Sequence, residues 1–219
     1  SFIDDKVGEL VQALEASGQA ENTVVVFCAD HGEMLGERGM WFKQSFFEWS
    51  ARVPLTVSAP ARYAPRRVSE CVSLVDLLPT LVGIGGGEVK LPCDGESLEA
   101  ALDGRPTRDL VICDYSGIGP CVPTRMVRQG RYKLMYTHGH PDLLFDLETD
   151  PNELHNLAED STHAATLKRL KFILMDGWDP EEIDRIIRQG QAERLFLKTT
   201  PGPPADWNFV ARNGDGARY

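Results

Sequence analysis

The segment that most constrains this chain is a short apolar run, Val24-Val25-Val26-Phe27-Cys28, which leads through Ala29 into Asp30-His31-Gly32. β-Branched side chains are stiff at χ1 and suit a pleated surface better than a helix. A run with no polar alternation has to be covered on both faces, which predicts a strand in a parallel sheet with helices on either side. Just upstream, Val7, Leu10, Val11 and Leu14 recur at helical spacing over residues 2–17, and Gly18 is placed to stop that helix. A helix followed at once by a buried strand is half of an α/β unit. Ligands of open α/β sheets gather beyond the carboxyl ends of the strands, which is where Asp30 and His31 fall.

Residues 33–50 have no clean period and are rich in Gly, Met and aromatic residues, which predicts an ordered loop. VPLTVSAP (53–60) reads as a second buried strand ended by Pro60, and residues 61–72 are basic and irregular. SLVDLLPTLVGIGG reads as a helix with Ser73 as N-cap, Asp76 three residues on, and Gly83 and Gly85–Gly87 at its end. Ser97 to Asp103 is a short helix closed by Gly104. The texture changes after about residue 105. LVICDY (110–115), TRMVRQG (124–130) and YKLMYTH (132–138) are strands with short links, and DLLFDLETDP (142–151) ends in a turn. Together they predict an antiparallel sheet. Residues 163–176 and 180–197 read as helices, the second with Asp179 as N-cap, Pro180 in first position and Glu181 and Glu182 in the first turn. The Pro/Gly-rich tail from Thr199 carries no assigned structure. Two domains are expected, residues 1–105 and 106–219.

The formal net charge of -10 over 219 residues argues against nucleic acid as a partner. No apolar run reaches the roughly 18 residues that a membrane-spanning helix requires, so no membrane association is expected. The chain opens SFIDDKVGEL, charged and amphipathic, with no visible signal peptide, and Ser1 does not read as a native start. Five cysteines, Cys28, Cys71, Cys93, Cys113 and Cys121, include no C-x-x-C spacing. An odd count without that spacing points to free thiols in a reducing compartment rather than a disulfide framework or zinc ribbon.

Asp30 offers a hard oxygen and His31 a borderline nitrogen, a pair able to hold a divalent cation, and Gly32 lets the chain turn past it. The plainer reading is Asp30 capping a turn with His31 as a satisfied polar residue. Context favours the first. The whole run DHGEMLGERGMWFKQSFFEWSARVPLTVSAP resembles the sulfatase family, through Asp30, His31, Gly32, Gly36, Gly39, Lys43, Phe47, Glu48, Arg52, Val53 and Pro54. VSLVDLLPTL (72–81) resembles the helix that follows in that family, and LLFDLETDPNELHNLA (143–158) its C-terminal segment. SFIDDKVGEL is similar to the helix before the family's metal-binding strand.

The resemblance implies the C-terminal portion of an alkaline-phosphatase-like α/β/α sandwich, followed by a small α+β subdomain with an antiparallel sheet. It implies Asp30 and His31 as ligands of one divalent metal ion, calcium or manganese, and Lys43 as the catalytic contact to the sulfuryl group and leaving oxygen. Trp41–Phe42 and Phe46–Phe47 flank Lys43 and predict a partly enclosed site, while Glu48 and Arg52 read as an ion pair fixing the loop. Within the family the loop resembles choline sulfatases and phosphonate monoester hydrolases. A choline pocket would draw on Asp114, Tyr115 and Trp207. DWNFVARN is similar to a tail that reaches a neighbouring subunit, implying a homo-oligomer. The family's nucleophile, a formylglycine made in a C/S-x-P-S/A-R motif, and two further aspartates belong to an N-terminal half expected as a partner. Cys121-Val122-Pro123-Thr124-Arg125 approaches that motif by letters, but it follows the Asp-His strand and leads into a predicted strand.

The expected activity is hydrolysis of a small-molecule sulfate ester, with two alternatives. One is a phosphonate or phosphate ester hydrolase of the same superfamily, and the other a noncatalytic piece serving folding or oligomerisation. Two ligands of about four or more make a weak divalent site, so the isolated chain is expected to be inactive. The free thiols and the family resemblance point to the bacterial cytoplasm.

Overall fold

In the computed structural model, residues 2–117 and 122–199 are described. The chain divides into two units, Ser1–Pro180 and Glu181–Tyr219.

Helix α1 (Phe2–Ala16) ends where Gly18 adopts a φ of 70°, the left-handed value that glycine tolerates. It buries no residue. β1 (Val25–Cys28) and β4 (Leu55–Ser58) form a two-stranded sheet, Val25 opposite Ser58 and Cys28 opposite Leu55. This corrects the sequence expectation in two respects. The pairing is antiparallel, and β1 is not covered on both faces, since Phe27 is 40% exposed. An apolar run registers a demand for burial but not which strand meets it. Among the described residues β1 pairs with β4 alone. Between these strands the predicted loop is partly regular. β2 (Met34–Leu35) and β3 (Trp41–Phe42) pair as a small hairpin, and α2 (Glu48–Ala51) is a single turn.

α3 (Leu77–Ile84) is entered through a 3₁₀ turn at Leu74–Asp76. The buried Asp76 carboxylate accepts from the Ser73 N–H at 2.8 Å, as the predicted cap requires. It also accepts from the Glu96 N–H at 2.9 Å and from Arg108 at 3.2 Å, joining α3 to the segment before α4 (Glu99–Leu102).

The second sheet is the meander expected from the sequence: β5 (Leu110–Tyr115), β6 (Thr124–Gln129), β7 (Tyr132–Thr137) and β8 (Leu143–Asp146), antiparallel in that order. Side chains alternate across a strand, so neighbouring residues serve opposite faces. Val127, Leu134 and Leu144 meet Leu170 and Leu174 of α5 (Ala164–Met175). Their neighbours Met126, Met135 and Phe145 meet Phe46 and Phe47, just before α2. The sheet is thus sandwiched, and the apolar stretches of its strands need no solvent side. Arg125 donates to the Leu174 carbonyl at 2.9 Å, meeting an otherwise orphaned acceptor at the end of α5.

Asn156 closes β8. Its side-chain oxygen accepts from the Leu144 N–H at 2.9 Å, and the Leu157 N–H donates to the Leu144 carbonyl at 2.8 Å. Arg131, in the turn between β6 and β7, donates to both oxygens of the buried Asp146 at the end of β8, at 2.6 Å to Oδ1. That guanidinium holds the Asp146 carboxyl below the usual carboxylate range, against the opposing effect of burial. In the second unit α6 (Pro180–Thr199) carries the predicted acidic first turn and surface pairs such as Arg188–Asp184 at 2.6 Å.

Leu144 is fully buried, so Leu144→Ala should destabilise the protein by about 2–5 kcal/mol in chemical denaturation, whereas Leu91→Ala at an exposed position should stay within about 0.5 kcal/mol. Because the folded Asp146 carboxyl lies lower than the unfolded one, its contribution is present above the ordinary value of 3.8 and is lost as pH falls through the folded value. Arg131→Met should therefore raise the pH midpoint of acid unfolding followed by circular dichroism.

Candidate active site

The turn after β1 is shaped by a close approach. The Gly32 N–H donates to the Ser50 carbonyl at 2.8 Å, and the Glu33 N–H donates to the Trp49 carbonyl at 2.7 Å. A Cβ on Gly32 would stand 2.1 Å from the Trp49 oxygen, so glycine is required here by space. His31 and Asp30 project from this turn. The His31 Nδ1 lies 2.7 Å from the Gly32 carbonyl. A carbonyl only accepts, so the ring proton sits on Nδ1 and the Nε2 lone pair faces outward. Lys43 Nζ donates to that Nε2 at 2.8 Å, and Asp30 Oδ2 lies 3.4 Å from it. The structure therefore brings together three residues that the sequence singled out, across a gap of twelve positions in the chain.

The segment carrying Lys43 is held at several points. Phe42 has a φ of 72°, a costly backbone conformation for a bulky residue, immediately before Lys43. The buried Ser50 hydroxyl donates to the Lys43 carbonyl. Ser50 thus grips both limbs of the site, Lys43 through its hydroxyl and Gly32 through its carbonyl. Arg38 lies 4.2 Å from the centroid of the Phe47 ring and donates to the Asn152 carbonyl at 3.4 Å.

Two sequence expectations need correction. Glu48 does not pair with Arg52. Its carboxylate meets Lys133 Nζ at 2.9 Å and Arg128 Nη1 at 3.1 Å, both from the second sheet, eighty or more positions away, where no local pattern could reveal them. Nor is Lys43 enclosed. Lys43, Trp41 and Phe42 are exposed, because Phe46 and Phe47 turn into the core of the second sheet instead of over the lysine. Ser50, Lys133 and Glu153 were missed by sequence reasoning. Lys133 announced itself only as a charge inside an apolar strand, and Glu153 as the acid of the D-P-x-E segment.

Of the expected choline-binding residues, Asp114 pairs with Arg125 at 2.9 Å and is half-exposed. Burial pushes its carboxyl up, and the guanidinium opposes that shift. Tyr115 lines a cavity of about 170 Å³ with Gln44, Ser45, Phe46, Phe47 and Thr124, next along the chain from Lys43. Trp207 and the DWNFVARN segment lie outside the described residues, as does Cys121. Thr124 and Arg125 begin β6, so the C-V-P-T-R letters lead into a strand. The described cysteines are free, and burial pushes the Cys71 thiol up to about 11, which keeps it protonated.

The donor chemistry of Asp30 and His31 suits part of a divalent-cation site, one carboxylate oxygen lying 3.4 Å from an imidazole nitrogen whose lone pair here accepts from Lys43. No group of three or more His, Cys, Asp or Glu able to hold a metal ion occurs among the described residues. The pair can therefore contribute to a ligand set but does not complete one.

Gly32→Ala should destabilise the protein by about 1–3 kcal/mol in thermal unfolding, since neither the Trp49 carbonyl nor the turn can yield without breaking the contacts to Ser50.

Comparison with known proteins bears on the family and the fold. The sulfatase family profile matches residues 1–87. The choline-sulfatase of Rhizobium meliloti (strain 1021) is 40% identical over 203 residues, taking in 90% of this chain and 40% of that protein. Human arylsulfatase K is 34% identical over 167 residues, covering 71% of this chain and 31% of that protein. The phosphonate monoester hydrolase of Silicibacter pomeroyi superposes with a TM-score of 0.67 at 28% identity, over 89% of this chain and 39% of that one. The chain thus spans 31–40% of the length of these two curated relatives. These matches take in both the segment with the Asp-His-Gly turn and the C-terminal meander, and the chain belongs to the sulfatase family.

Proposed function

We propose that this chain supplies the metal-ligand loop and C-terminal subdomain of a metal-dependent sulfatase that hydrolyses small sulfate esters, choline sulfate among them. The observation that carries the reading is the convergence of Lys43 Nζ and Asp30 Oδ2 on His31 Nε2, at 2.8 and 3.4 Å. The choline-sulfatase relative supports the substrate class.

On this reading Asp30 and His31 hold one divalent cation, calcium or manganese, with ligands from the rest of the enzyme. A bound cation would polarise the ester oxygens and the nucleophile. The Nδ1–H of His31, donated to the Gly32 carbonyl, keeps Nε2 as the ligating atom. Lys43 places an ammonium beside the ester, where it meets negative charge developing on the leaving oxygen. The formylglycine nucleophile and the remaining aspartates come from the N-terminal half. Residues 1–105 complete the α/β domain and 106–219 form the subdomain. Asp114, Tyr115 and Trp207 are the candidates for binding the leaving group, and the complete protein is a cytoplasmic homo-oligomer. A phosphonate or phosphate ester hydrolase is the second reading, favoured by the likeness to the phosphonate monoester hydrolase.

In the full-length enzyme Lys43→Ala should lower kcat on sulfate esters by about 10²–10³-fold, the usual loss when one charge-stabilising donor is removed. Asp30→Asn should reduce the metal content measured by elemental analysis. Faster turnover of phosphonate than of sulfate monoesters would reverse the choice between the two readings, and an unaffected Lys43→Ala variant would remove Lys43 from the chemistry.

A further inference from the structure

Lys43 and the Asp30–His31–Gly32 turn both depend on α2, a helix of four residues that cannot hold itself in water. Both functional limbs converge on Ser50, so the site stands wherever α2 stands. What fixes α2 is its first residue. Lys133, on β7, is wholly buried, and its ammonium lies 2.9 Å from Glu48 Oε1 and 2.8 Å from Glu153 Oε1. The other Glu153 oxygen accepts the Glu48 N–H at 2.7 Å. Glu48 is therefore held at its side chain and at its backbone by one buried cluster, with Arg128 on the second carboxylate oxygen. Lys133 and Met135 are two positions apart and share the sheet face that receives Phe46 and Phe47. Apolar contacts bring α2 to this face, but they do not set its position along the strands. A buried ammonium between two carboxylates does, because each charge must keep its partner.

We infer that Lys133 is a positioning residue of the active site. Acting through Glu48 and Ser50, it sets where the Lys43 ammonium and the His31 ring stand. The inference rests on the role proposed for Lys43 and extends the working site into the second sheet.

The test compares Lys133→Gln, Lys43→Ala and the double variant in the full-length enzyme. Each is assayed on an aryl sulfate with a good leaving group and an alkyl sulfate with a poor one. Lys133→Gln should lower kcat by about 10- to 100-fold, the scale expected when a catalytic group is displaced by about an ångström, with little change in KM. The deficit should be larger for the alkyl sulfate, as for Lys43→Ala, and the double variant should be no slower than Lys43→Ala alone. Equal losses on both substrates, or effects that multiply in the double variant, would overturn the inference. Lys133→Arg should recover part of the rate.

Should Lys133→Gln fail to fold, Glu48→Gln keeps an acceptor at the same place. In that variant amide hydrogen exchange should quicken over residues 43–50 and stay unchanged over 164–175, and unaltered exchange over 43–50 would overturn the coupling. Failure of the underlying reading looks different: the wild-type enzyme would not hydrolyse sulfate esters, or Lys43→Ala would leave kcat intact. The exchange measurement still decides in that case whether the Lys133–Glu48 contact holds α2.

Discussion

A lysine with no solvent exposure, held between two glutamates, is the contact on which the arrangement depends. Removing one partner from such a cluster typically costs about 3–5 kcal/mol, because the others stay buried and uncompensated. Apolar residues of similar volume would fill the same space at lower electrostatic cost, but they would not tell α2 where along β7 to stop. Lys133 converts a general attraction between a loop and a sheet into one register. The cation–π contact of Arg38 with Phe47 and its bond to Asn152 act on the same seam.

That seam explains the composition of the second sheet. Val127, Leu134 and Leu144 need α5, while Met126, Met135 and Phe145 need the loop ahead of α2. Neither cover is optional, since stripping either would expose half of every strand. The loop that carries the candidate chemistry is therefore also one wall of a hydrophobic core, which suits a segment that must present a lysine with little play.

Much of this was legible in the sequence, and what was not has a common cause. Gly18 and Gly104 marked helix ends, Ser73 and Asp76 marked a helix start, and the four strands of the meander followed from short apolar segments with tight links. These are local signals whose cause lies within a few residues. Asp30, His31 and Lys43 were found through a resemblance spanning thirty positions, not through the Asp-His pair alone. The partner of Glu48 was misread because ion pairing is decided in space, and a nearby Arg52 outweighed a distant Lys133 when only order along the chain was visible. The pairing direction of β1 was misread for a related reason. Apolar continuity carries no record of strand polarity.

The sealed edge of β8 has a consequence for how the chain acquires its shape. With Asn156 and Leu157 bonded to Leu144, and β5 to β8 each paired with a neighbour close in sequence, the meander and α5 can assemble from short loops alone. β1 and β4 must instead close a span of some thirty residues for a single pairing, and their apolar sides stay partly uncovered. By loop length alone the meander is the part that can form first, and the segment bearing α2 then covers its second face. Lys133 belongs to the meander, and the residues it positions belong to that segment.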